Sequence, residues 1–500
     1  MVVALHDNQD ESVSLPVNTD FCKSIDLAPS NNLSQFLKPY EDKMSSETAV
    51  LPLETGKSAI LTRAWLSDAA EKTIDVQYFI FSRDNTGLIA FNYLVRAAQR
   101  GVKVRVLVDD FMLEFEEEEI LALASHPNIQ IKIFNPGVSL GKNIVEKITT
   151  FVTDFKGANH RMHNKLFIVD GKALITGGRN VEGMYFDFDH HYNFRDRDIL
   201  LIGNTVNAGQ GYFNDYWNNR LSVDVHEVLN DVSLPDDYRN TLNKLNEYAC
   251  NPNNYWPQIR EAVVNLPDVF AEIEKSGELV WTKKAELVCD APEKKTLTST
   301  GTELSLTTER LIKLISESNQ NIEIQTPYLV TTEPTRNLFK QKVSEGVRIR
   351  VLTNSLASTD NVEAFSGYQR DREELLATGI EVYEFKPDAK VRLDISSSEL
   401  QNNLGHTAIF GMHAKTMIID GKITVIGTFN LDPRSANLNT ECLAIINNES
   451  ITESVLEGVE EEFKPENSWR VTKEFNPDNE VDLSKRLKTR TRYIIPKDVL

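Results

Sequence analysis

Long apolar runs and closely spaced cysteines are missing from this sequence of 500 residues. No stretch of 18 apolar residues occurs, so no transmembrane helix is expected. The start of the chain, Met1-Val2-Val3, lacks a charged segment followed by a long apolar one, and no signal peptide is predicted. The four cysteines, at positions 22, 250, 289 and 442, lack zinc-ligand spacing and are expected to be reduced thiols of a cytosolic protein.

Basic residues are also scarce, with 54 Lys and Arg against 74 Asp and Glu, which gives a net charge of −20. A nucleic-acid-binding surface is normally basic, so this balance argues against nucleic acid as a partner. The exception is the C-terminal tail, where an apolar Tyr493-Ile494-Ile495 follows a set of basic residues: Lys485, Arg486, Lys488, Arg490 and Arg492. Such a tail suits peripheral contact with a membrane, and a solvated helix is the alternative.

One pattern of residues occurs twice, with 250 residues between the copies. Both copies read H-x-K-x4-D-x6-G-[GT]-x-N. The first consists of His163, Lys165, Asp170, Gly177 and Asn180, and the second of His413, Lys415, Asp420, Gly427 and Asn430. A single copy could be accidental, but two with equal spacing predict a symmetric pocket for a phosphate group.

The residue types of the pattern suit phosphoryl transfer through an enzyme histidine. Lysine ammonium groups and asparagine amides can neutralise and hydrogen-bond the oxygens of a phosphodiester. One histidine can attack phosphorus while the other protonates the leaving alcohol. Since the lysines supply positive charge, we expect neither a metal ion nor another cofactor. Gly177 and Gly427 are expected to let the backbone pass close to the phosphate.

The segments around each copy predict a hairpin within a repeated α/β unit. An apolar run ends at Asp170-Gly171 in the first copy and at Asp420-Gly421 in the second, and a further apolar run follows each. Upstream, residues 74–77 match 322–325, and residues 101–107 match 346–352. Helical spacing of apolar residues between these segments favours alternating strands and helices. We therefore expect two homologous α/β halves with abutting sheets and the site between them.

The roles of several acids stay open at the level of sequence. Asp170 and Asp420 each begin a turn, so a structural role is as reasonable as a catalytic one. Glu441 precedes an apolar run and is the candidate to orient one histidine. Its counterpart in the first half is Asp196 or Asp198, and spacing does not decide between them. Strand-edge charges are the alternative for all three.

These features resemble the phospholipase D superfamily, whose mark is a doubled HKD motif, over roughly residues 55–500. Five segments are most similar to bacterial cardiolipin synthases of the C type: 159–165, 177–180, 353–360, 430–435 and 493–496. One departure lies near Phe365, where relatives often carry histidine. Residues 1–50 are polar, rich in Ser and Asn and without an apolar run, so an N-terminal extension or a short helical arm is expected there. The repeat and the resemblance together predict a first phospholipase D-like α/β sandwich domain (51–265, motif 163–180) and a second one (266–500, motif 413–430), related by a pseudo-twofold axis.

The resemblance also implies a reaction. A phosphatidyl group would pass through a phosphatidyl-histidine to phosphatidylglycerol, which gives cardiolipin, and the donor would be phosphatidylglycerol or phosphatidylethanolamine. We take His163 as the nucleophile and His413 as the acid, although near-symmetric halves do not decide this. Hydrolysis to phosphatidic acid, nuclease activity and a non-catalytic lipid-binding role are the alternatives. The expected location is peripheral, on the cytoplasmic face of a bacterial inner membrane; a helper protein and the oligomeric state stay open.

Overall fold

A computed structural model of the protein describes residues 21, 23, 32–113, 115–137, 160–233, 237–294, 304–395 and 408–497. Most of the expected N-terminal extension, and Asn159 of the family-like segments, lie outside these residues. The described part of residues 32–50 is folded onto the first half. Leu33 and Leu37, one helical turn apart, are buried there, and an Asn32–Gln35 capping box starts their helix.

The described residues form nineteen strands, and the repeat predicted from the sequence covers most of them. They are β1 (Thr48–Leu53), β2 (Thr73–Phe81), β3 (Lys103–Leu113), β4 (Ile129–Phe134), β5 (Leu166–Val169), β6 (Ala173–Gly177), β7 (Tyr192–Arg195), β8 (Asp198–Gly203), β9 (Ser222–Asp224), β10 (Val280–Thr282), β11 (Ala285–Cys289), β12 (Asn321–Gln325), β13 (Arg348–Asn354), β14 (Glu381–Phe385), β15 (Ile409–Met412), β16 (Thr416–Ile419), β17 (Ile423–Gly427), β18 (Cys442–Asn447) and β19 (Ser468–Arg470).

Helices cover the sheets and connect their parallel strands. They are α1 (Leu33–Leu37), α2 (Glu41–Met44), α3 (Gly56–Ala69), α4 (Asn85–Gln99), α5 (Glu117–Ala124), α6 (Val206–Trp217), α7 (Val225–Val228), α8 (Tyr238–Ala249), α9 (Pro257–Val264), α10 (Val269–Ser276), α11 (Leu306–Glu317), α12 (Glu333–Ser344), α13 (Val362–Ala377), α14 (Arg392–Ile395), α15 (Pro433–Asn437), α16 (Glu449–Phe463) and α17 (Leu483–Thr491). No helix in the described ranges is both long and apolar enough to span a bilayer.

The two large sheets have the same strand order, which confirms the predicted α/β architecture of two homologous halves. The first runs β10-β1-β8-β6-β5-β2-β3-β4-β9, and the second runs β11-β18-β17-β16-β12-β13-β14-β19. In each, the centre is parallel (β2-β3-β4 and β12-β13-β14) and the motif hairpin joins it antiparallel. Strand β10 has no counterpart within the described part of the second sheet.

The chain passes from the first sheet to the second between Thr282 and Ala285. Strand β10 pairs with β1 of the first half, whereas β11, three residues later, pairs with β18 of the second. The structural division therefore falls later than residue 266. The reason is that residues 238–276 form helices α8 to α10, which add to the first half; Leu242, Ile259 and Phe270 are buried in its core.

The two sheets meet in a shared apolar core, as the doubled pattern predicts. Buried residues of the first sheet, such as Leu174 and Leu201, pack with Ile426 and Ala444 of the second in one cluster. Complete burial of a leucine or isoleucine side chain contributes about 1.5–3 kcal/mol. The halves therefore form one unit, with both motif hairpins at the seam.

A disulfide corrects the expectation of reduced cysteines. Cys289 and Cys442 are bonded to each other across β11 and β18, with a sequence separation of 153. Cys250 is also disulfide-bonded. Sequence spacing does not reveal the Cys289–Cys442 pair because the two residues become neighbours only through the register of an antiparallel ladder. The bond lies beside Glu441, which immediately precedes Cys442.

Candidate active site

A short contact between the halves places His163 against an acid of the second half. Met162 forms a parallel bridge with Thr440, and the His163 backbone N–H donates to the Thr440 carbonyl at 3.1 Å. As a result, Nδ1 of His163 lies 2.8 Å from Oε2 of Glu441. Both side chains are buried.

The same arrangement occurs with the halves exchanged. Strands β7 and β15, one from each half, pair in parallel, and the His413 backbone N–H donates to the Arg195 carbonyl at 2.8 Å. Nδ1 of His413 then lies 2.6 Å from Oδ2 of Asp196. Each histidine is therefore held by a carboxylate of the other half. An Nδ1–H that donates to a carboxylate leaves Nε2 for chemistry.

The register of the sheets decides between Asp196 and Asp198. In the first sheet Gly177 is opposite Asp198, and in the second Gly427 is opposite Leu443. Two residues earlier in the sequence, just ahead of β8 and β18, Asp196 thus corresponds to Glu441.

Asp198 has a structural role. Its inclusion among the candidate histidine-orienting residues is therefore corrected. Its carboxylate pairs with Arg63 at 2.8 Å and accepts a hydrogen bond from the Arg179 backbone N–H at 3.2 Å. Asp198 is the first residue of β8 and faces these arginines of its own half, whereas Asp196 lies between β7 and β8 and faces the second half.

Two hydroxyl groups fix the Glu441 carboxylate. Ser435 donates to Oε1 at 2.8 Å, and Thr428 donates to Oε2. On the other side of the pseudo-axis, Asp196 accepts from the Arg197 backbone N–H at 2.7 Å. A Cβ atom on Gly178 would collide with this Asp196 carboxylate. The difference between Gly178 and Thr428 in the two copies therefore follows from the different acids beside them.

Both motif lysines are buried within the site. Nζ of Lys165 donates to the His163 carbonyl at 2.9 Å, and Nζ of Lys415 donates to the His413 carbonyl at 2.7 Å. Burial lowers the pKa of Lys165 to about 7 and that of Lys415 to about 8, although nearby carboxylates favour the charged form. In their protonated form, the two lysines can neutralise an anionic ligand.

Both histidines are neutral near pH 7. Burial lowers the pKa of His163 to about 4 and that of His413 to about 3, and the attraction of Glu441 and Asp196 only partly opposes this effect. Lys415 also lowers the pKa of His163, and Lys165 lowers that of His413. These mutual effects follow from the proximity of the two copies of the pattern in the folded chain. A neutral imidazole is the form required of a nucleophile.

The two asparagines of the pattern differ in their hydrogen bonding. The Asn180 side-chain oxygen accepts a hydrogen bond from the Ile80 backbone N–H at 3.2 Å. The Asn430 side-chain oxygen is buried with no hydrogen-bond partner among the described residues. A buried polar atom normally has a hydrogen-bond partner, so this oxygen is open to a donor group of a bound ligand.

Gly177 and Gly427 are required for strand packing within the sheets. This role differs from the expectation that they let the backbone pass close to a phosphate. A Cβ atom on Gly177 would collide with Asp198, and one on Gly427 would collide with the Cys442 carbonyl. Gly177 also has φ 150°, a value that favours glycine. Both glycines therefore permit close approach of the neighbouring strand that carries the orienting acid.

Asp170 and Asp420 lie away from the site, at the far ends of the motif hairpins, which corrects their assignment to it. Both adopt positive φ, of 52° and 54°, ahead of a glycine with φ 62°, as a tight hairpin turn requires. The Asp170 carboxylate accepts backbone N–H groups of residues 71–73 at 2.7–2.9 Å. Asp420 does the same with residues 319–321 at 2.7–3.1 Å. Each aspartate anchors its hairpin to the start of the adjacent strand, β2 in the first half and β12 in the second.

Aromatic rings around the histidines are site residues that the sequence reasoning missed. The Phe79 ring lies 5.3 Å from that of His163, while Tyr185 and Phe194 lie 5.0 and 4.7 Å from His413. Phe194 belongs to β7, two residues before Asp196, and this proximity is a signal that could have found it. Apolar walls of this kind lower the local dielectric and strengthen the interactions of the charged groups.

Arginines on either side of Asp196 bind the second half. Arg195 pairs with Glu462 at 2.5 Å, and Arg197 donates to Gln325 at 2.6 Å and to Thr416 at 2.8 Å. Both also pair with Glu54 of the first half. These buried contacts between halves keep Asp196 in place beside His413.

Comparisons with known proteins agree with this geometry. The family profile described as "Cardiolipin synthase, PLD-like domain" matches residues 66–217 and 311–465. Cardiolipin synthase C of Escherichia coli (strain K12) is 32% identical over 431 residues, which cover 85% of this chain and 86% of that protein. A cardiolipin synthase of Oceanobacillus iheyensis is 27% identical over 376 residues, which cover 75% and 60%.

A solved structure shares the fold over nearly the whole chain. The phosphatidylserine synthase of Haemophilus influenzae Rd KW20 aligns with a TM-score of 0.59 and 12% identity, covering 93% of this chain and 99% of that one. At this identity the likeness concerns the fold alone.

The doubled fold and the paired histidines define a phospholipase D-type enzyme, a phosphatidyltransferase. The chain belongs to the cardiolipin synthase family with phospholipase D-like domains.

Proposed function

We propose that this protein makes cardiolipin by transferring a phosphatidyl group from one phospholipid to phosphatidylglycerol. The observation that carries the proposal is the pair of neutral histidines, each held at Nδ1 by a carboxylate, beside two buried lysines. Similarity to Escherichia coli cardiolipin synthase C over 85% of the chain supports this choice of product.

In the first step, Nε2 of His163 attacks the phosphorus of the donor lipid. The bond from phosphorus to the head-group oxygen breaks, and His413 gives its proton to that oxygen. The products are a phosphatidyl-histidine and glycerol or ethanolamine. The assignment of His163 rests on its surroundings: no described residue hydrogen-bonds its Nε2, whereas Nζ of Lys415 lies 3.0 Å from Nε2 of His413.

In the second step, a hydroxyl group of phosphatidylglycerol gives its proton to His413 and attacks the same phosphorus. The bond between phosphorus and Nε2 breaks, which restores His163 and releases cardiolipin. The proton that His413 needs for the first step is favoured once a phosphodiester occupies the site, because its negative charge raises the pKa of a nearby imidazole. Glu441 and Asp196 stabilise the imidazolium forms by the same interaction.

The proposal is tested by incubating the purified protein with mixed vesicles of phosphatidylglycerol and phosphatidylethanolamine and identifying the products by mass spectrometry. We expect cardiolipin with the wild type and none with His163→Ala. Omission of each lipid in turn identifies the donor. Phosphatidic acid without cardiolipin would make the enzyme a phospholipase D. If neither product forms, the proposed reaction is wrong for the protein acting alone, and a helper protein or another phosphodiester becomes the next target.

We also propose that the protein works as a peripheral protein at a bacterial membrane. The Cys289–Cys442 disulfide weighs against the cytoplasmic face expected from the sequence, because disulfides persist mainly in oxidising compartments. Acid quenching of the cells, labelling of free thiols in denaturant, because Cys289 and Cys442 are buried, and mass spectrometry test the side. Labelled Cys289 and Cys442 would place the enzyme in the cytoplasm, and unlabelled bonded cysteines would place it outside.

A further inference from the structure

The C-terminal segment combines exposed apolar side chains with basic ones. Leu483 and Leu487, one turn apart on α17, are 61% and 52% exposed, and Ile494 is 87% exposed. Lys488 and Arg490 stand exposed beside them. Apolar side chains at helical spacing, flanked by Lys and Arg, suit insertion into the head-group region of a bilayer.

This segment is held firmly on its other side. Thr489 is buried, and Arg492 pairs with Glu363 of α13 at 3.0 Å. Arg370 of α13 donates to the Tyr493 carbonyl at 3.1 Å. The exposed apolar side chains therefore lie on an element whose other side is packed against the second half.

The charge of the segment is opposite to that of the rest of the chain. Between residues 483 and 497 there is no acidic residue. The basic residues of this stretch are Lys485, Arg486, Lys488, Arg490, Arg492 and Lys497. The whole chain has a net charge of −20 and would be repelled by an anionic bilayer at most orientations. Attraction is concentrated at this one end, so an anionic surface would orient the molecule as well as bind it.

A series of contacts connects the segment to the active site. Nζ of Lys485 donates to the Ala357 carbonyl at 3.4 Å, and the next carbonyl, of Ser358, accepts the Tyr192 hydroxyl at 2.5 Å. The Tyr192 ring packs on that of Phe194 at 5.0 Å, and Phe194 packs on His413 at 4.7 Å. The basic segment is thus separated from the histidine only by one loop and two aromatic rings.

We propose that the surface formed by Leu483, Leu487, Lys488, Arg490 and Ile494, the tail surface, binds an anionic phospholipid bilayer and sets the active site against it. The inference rests on the proposed function, because lipid substrates must enter the site from a membrane. It goes further by naming the face that contacts the membrane and the charge of the lipid that this face selects.

Vesicle co-sedimentation tests the proposal on the full-length protein. We expect the wild type to bind vesicles that contain phosphatidylglycerol, to bind phosphatidylcholine vesicles weakly, and to dissociate at high salt. The double variant Lys488→Gln/Arg490→Gln should bind about 25-fold more weakly, at about fivefold for each charge removed. Leu487→Ser/Ile494→Ser should weaken binding at high salt as well, where the electrostatic contribution is screened.

Matched controls use exposed residues of the same kind elsewhere on the second half. Lys313 and Lys340 are exposed on α11 and α12, and Leu306 and Ile312 of α11 are 51% and 39% exposed. Lys313→Gln/Lys340→Gln and Leu306→Ser/Ile312→Ser should leave vesicle binding within about twofold of the wild type. Equal losses from control and tail variants would overturn the proposal, as would wild-type binding by the tail variants.

Two further measurements separate this proposal from the proposed function. Turnover of a short-chain phosphatidylglycerol below its micellar concentration needs no membrane, so the tail variants should retain it while losing turnover on vesicles. His163→Ala should lose both activities and still bind vesicles. Loss of short-chain turnover in the tail variants, whose folding is checked by thermal melts, would make the segment part of the site. If the tail variants change the oligomeric state and leave vesicle binding unchanged, the segment is a contact between copies of this chain. Each of these two results would reject membrane docking by the tail surface.

Discussion

At the scale of single residues, the centre of the enzyme is a pair of histidine–carboxylate contacts exchanged between halves. His163 depends on Glu441 and His413 on Asp196, so neither half can orient its own histidine. The carboxylates fix the tautomers and stabilise the charged imidazoles that form during transfer.

Substitution of the orienting acids should reduce turnover with little effect on folding. We expect Glu441→Gln or Asp196→Asn to lower kcat by about 10³-fold to 10⁴-fold, because an amide cannot stabilise an imidazolium. Steady-state kinetics and thermal melts of each variant measure the two effects.

The control for that prediction is Asp198→Asn, two residues from Asp196. It removes the charge partner of buried Arg63 and Arg179, and loss of one partner of a buried pair costs about 3–5 kcal/mol. We therefore expect a lower melting temperature and a kcat near that of the wild type in the folded fraction. A loss of kcat in Asp198→Asn as large as in Asp196→Asn would contradict the division of roles.

The buried lysines predict how activity depends on pH. Their pKa values are lowered to about 7 for Lys165 and about 8 for Lys415, so the ammonium forms that attract a phosphodiester are present below these values and are lost as pH rises through them. We expect kcat/KM to fall between pH 7 and 9, since this parameter reports the free enzyme.

The variant Lys165→Arg distinguishes the titration of Lys165 from that of other groups in the site. A guanidinium stays protonated throughout this range, so the remaining activity of Lys165→Arg should lose its decline near pH 7. An unchanged profile would assign the alkaline decline to another group.

At the scale of elements, the motif hairpins show why a repeated aspartate need not be catalytic. Asp170 and Asp420 begin the turns and accept three backbone N–H groups each, at the opposite end of the strand from the lysines. A four-residue strand spans about 13 Å, which is too far for direct contact with a reacting phosphorus. Both copies of the repeat contain this aspartate because both hairpins have the same turn.

Replacement of the turn aspartates should therefore affect stability. We expect Asp170→Ala and Asp420→Ala each to lower the free energy of unfolding by about 1–3 kcal/mol, because backbone donors lose their acceptor and alanine disfavours positive φ. Asn should cost less than Ala at both positions, since it tolerates this backbone conformation and retains one carbonyl oxygen. Denaturant titration gives the stability, and kcat measured under conditions where each variant is folded should stay within a few fold. A kcat near zero in a stable Asp170→Asn variant would restore the aspartate to the chemistry.

At the scale of the whole molecule, one chain contains one complete site. The buried core, the ion pair of Arg195 with Glu462 and the hydrogen bonds of Arg197 to Gln325 and Thr416 hold both motifs together within the same chain. A mixture of the His163→Ala and His413→Ala proteins should accordingly remain inactive. Recovery of cardiolipin synthesis in the mixture would mean that two chains exchange halves, and co-refolding of the two variants gives the most sensitive form of this test.

Much of this organisation could be predicted from the sequence, since the strands, turns and repeat depend on local patterns. Alternating apolar runs and Asp-Gly turns predicted both hairpins, and the match of residues 74–77 to 322–325 predicted two equivalent sheets. The division near residue 266 was less accurate, because α8 to α10 carry no repeat signal and join the first half through tertiary contacts, such as the burial of Leu242 and the hydrogen bond from the Tyr248 hydroxyl to Asn85.

The sequence by itself determined the family, the two-half fold, and the histidines and lysines of the site, because these depend on residue identity and spacing. Only the tertiary structure decided which acid meets which histidine, that Asp198, Asp170 and Asp420 are structural, and that Cys289 is bonded to Cys442. Those answers depend on strand register and on contacts between residues that are about 100 or more positions apart. Local patterns contain no record of such contacts, since they form only when the two sheets meet.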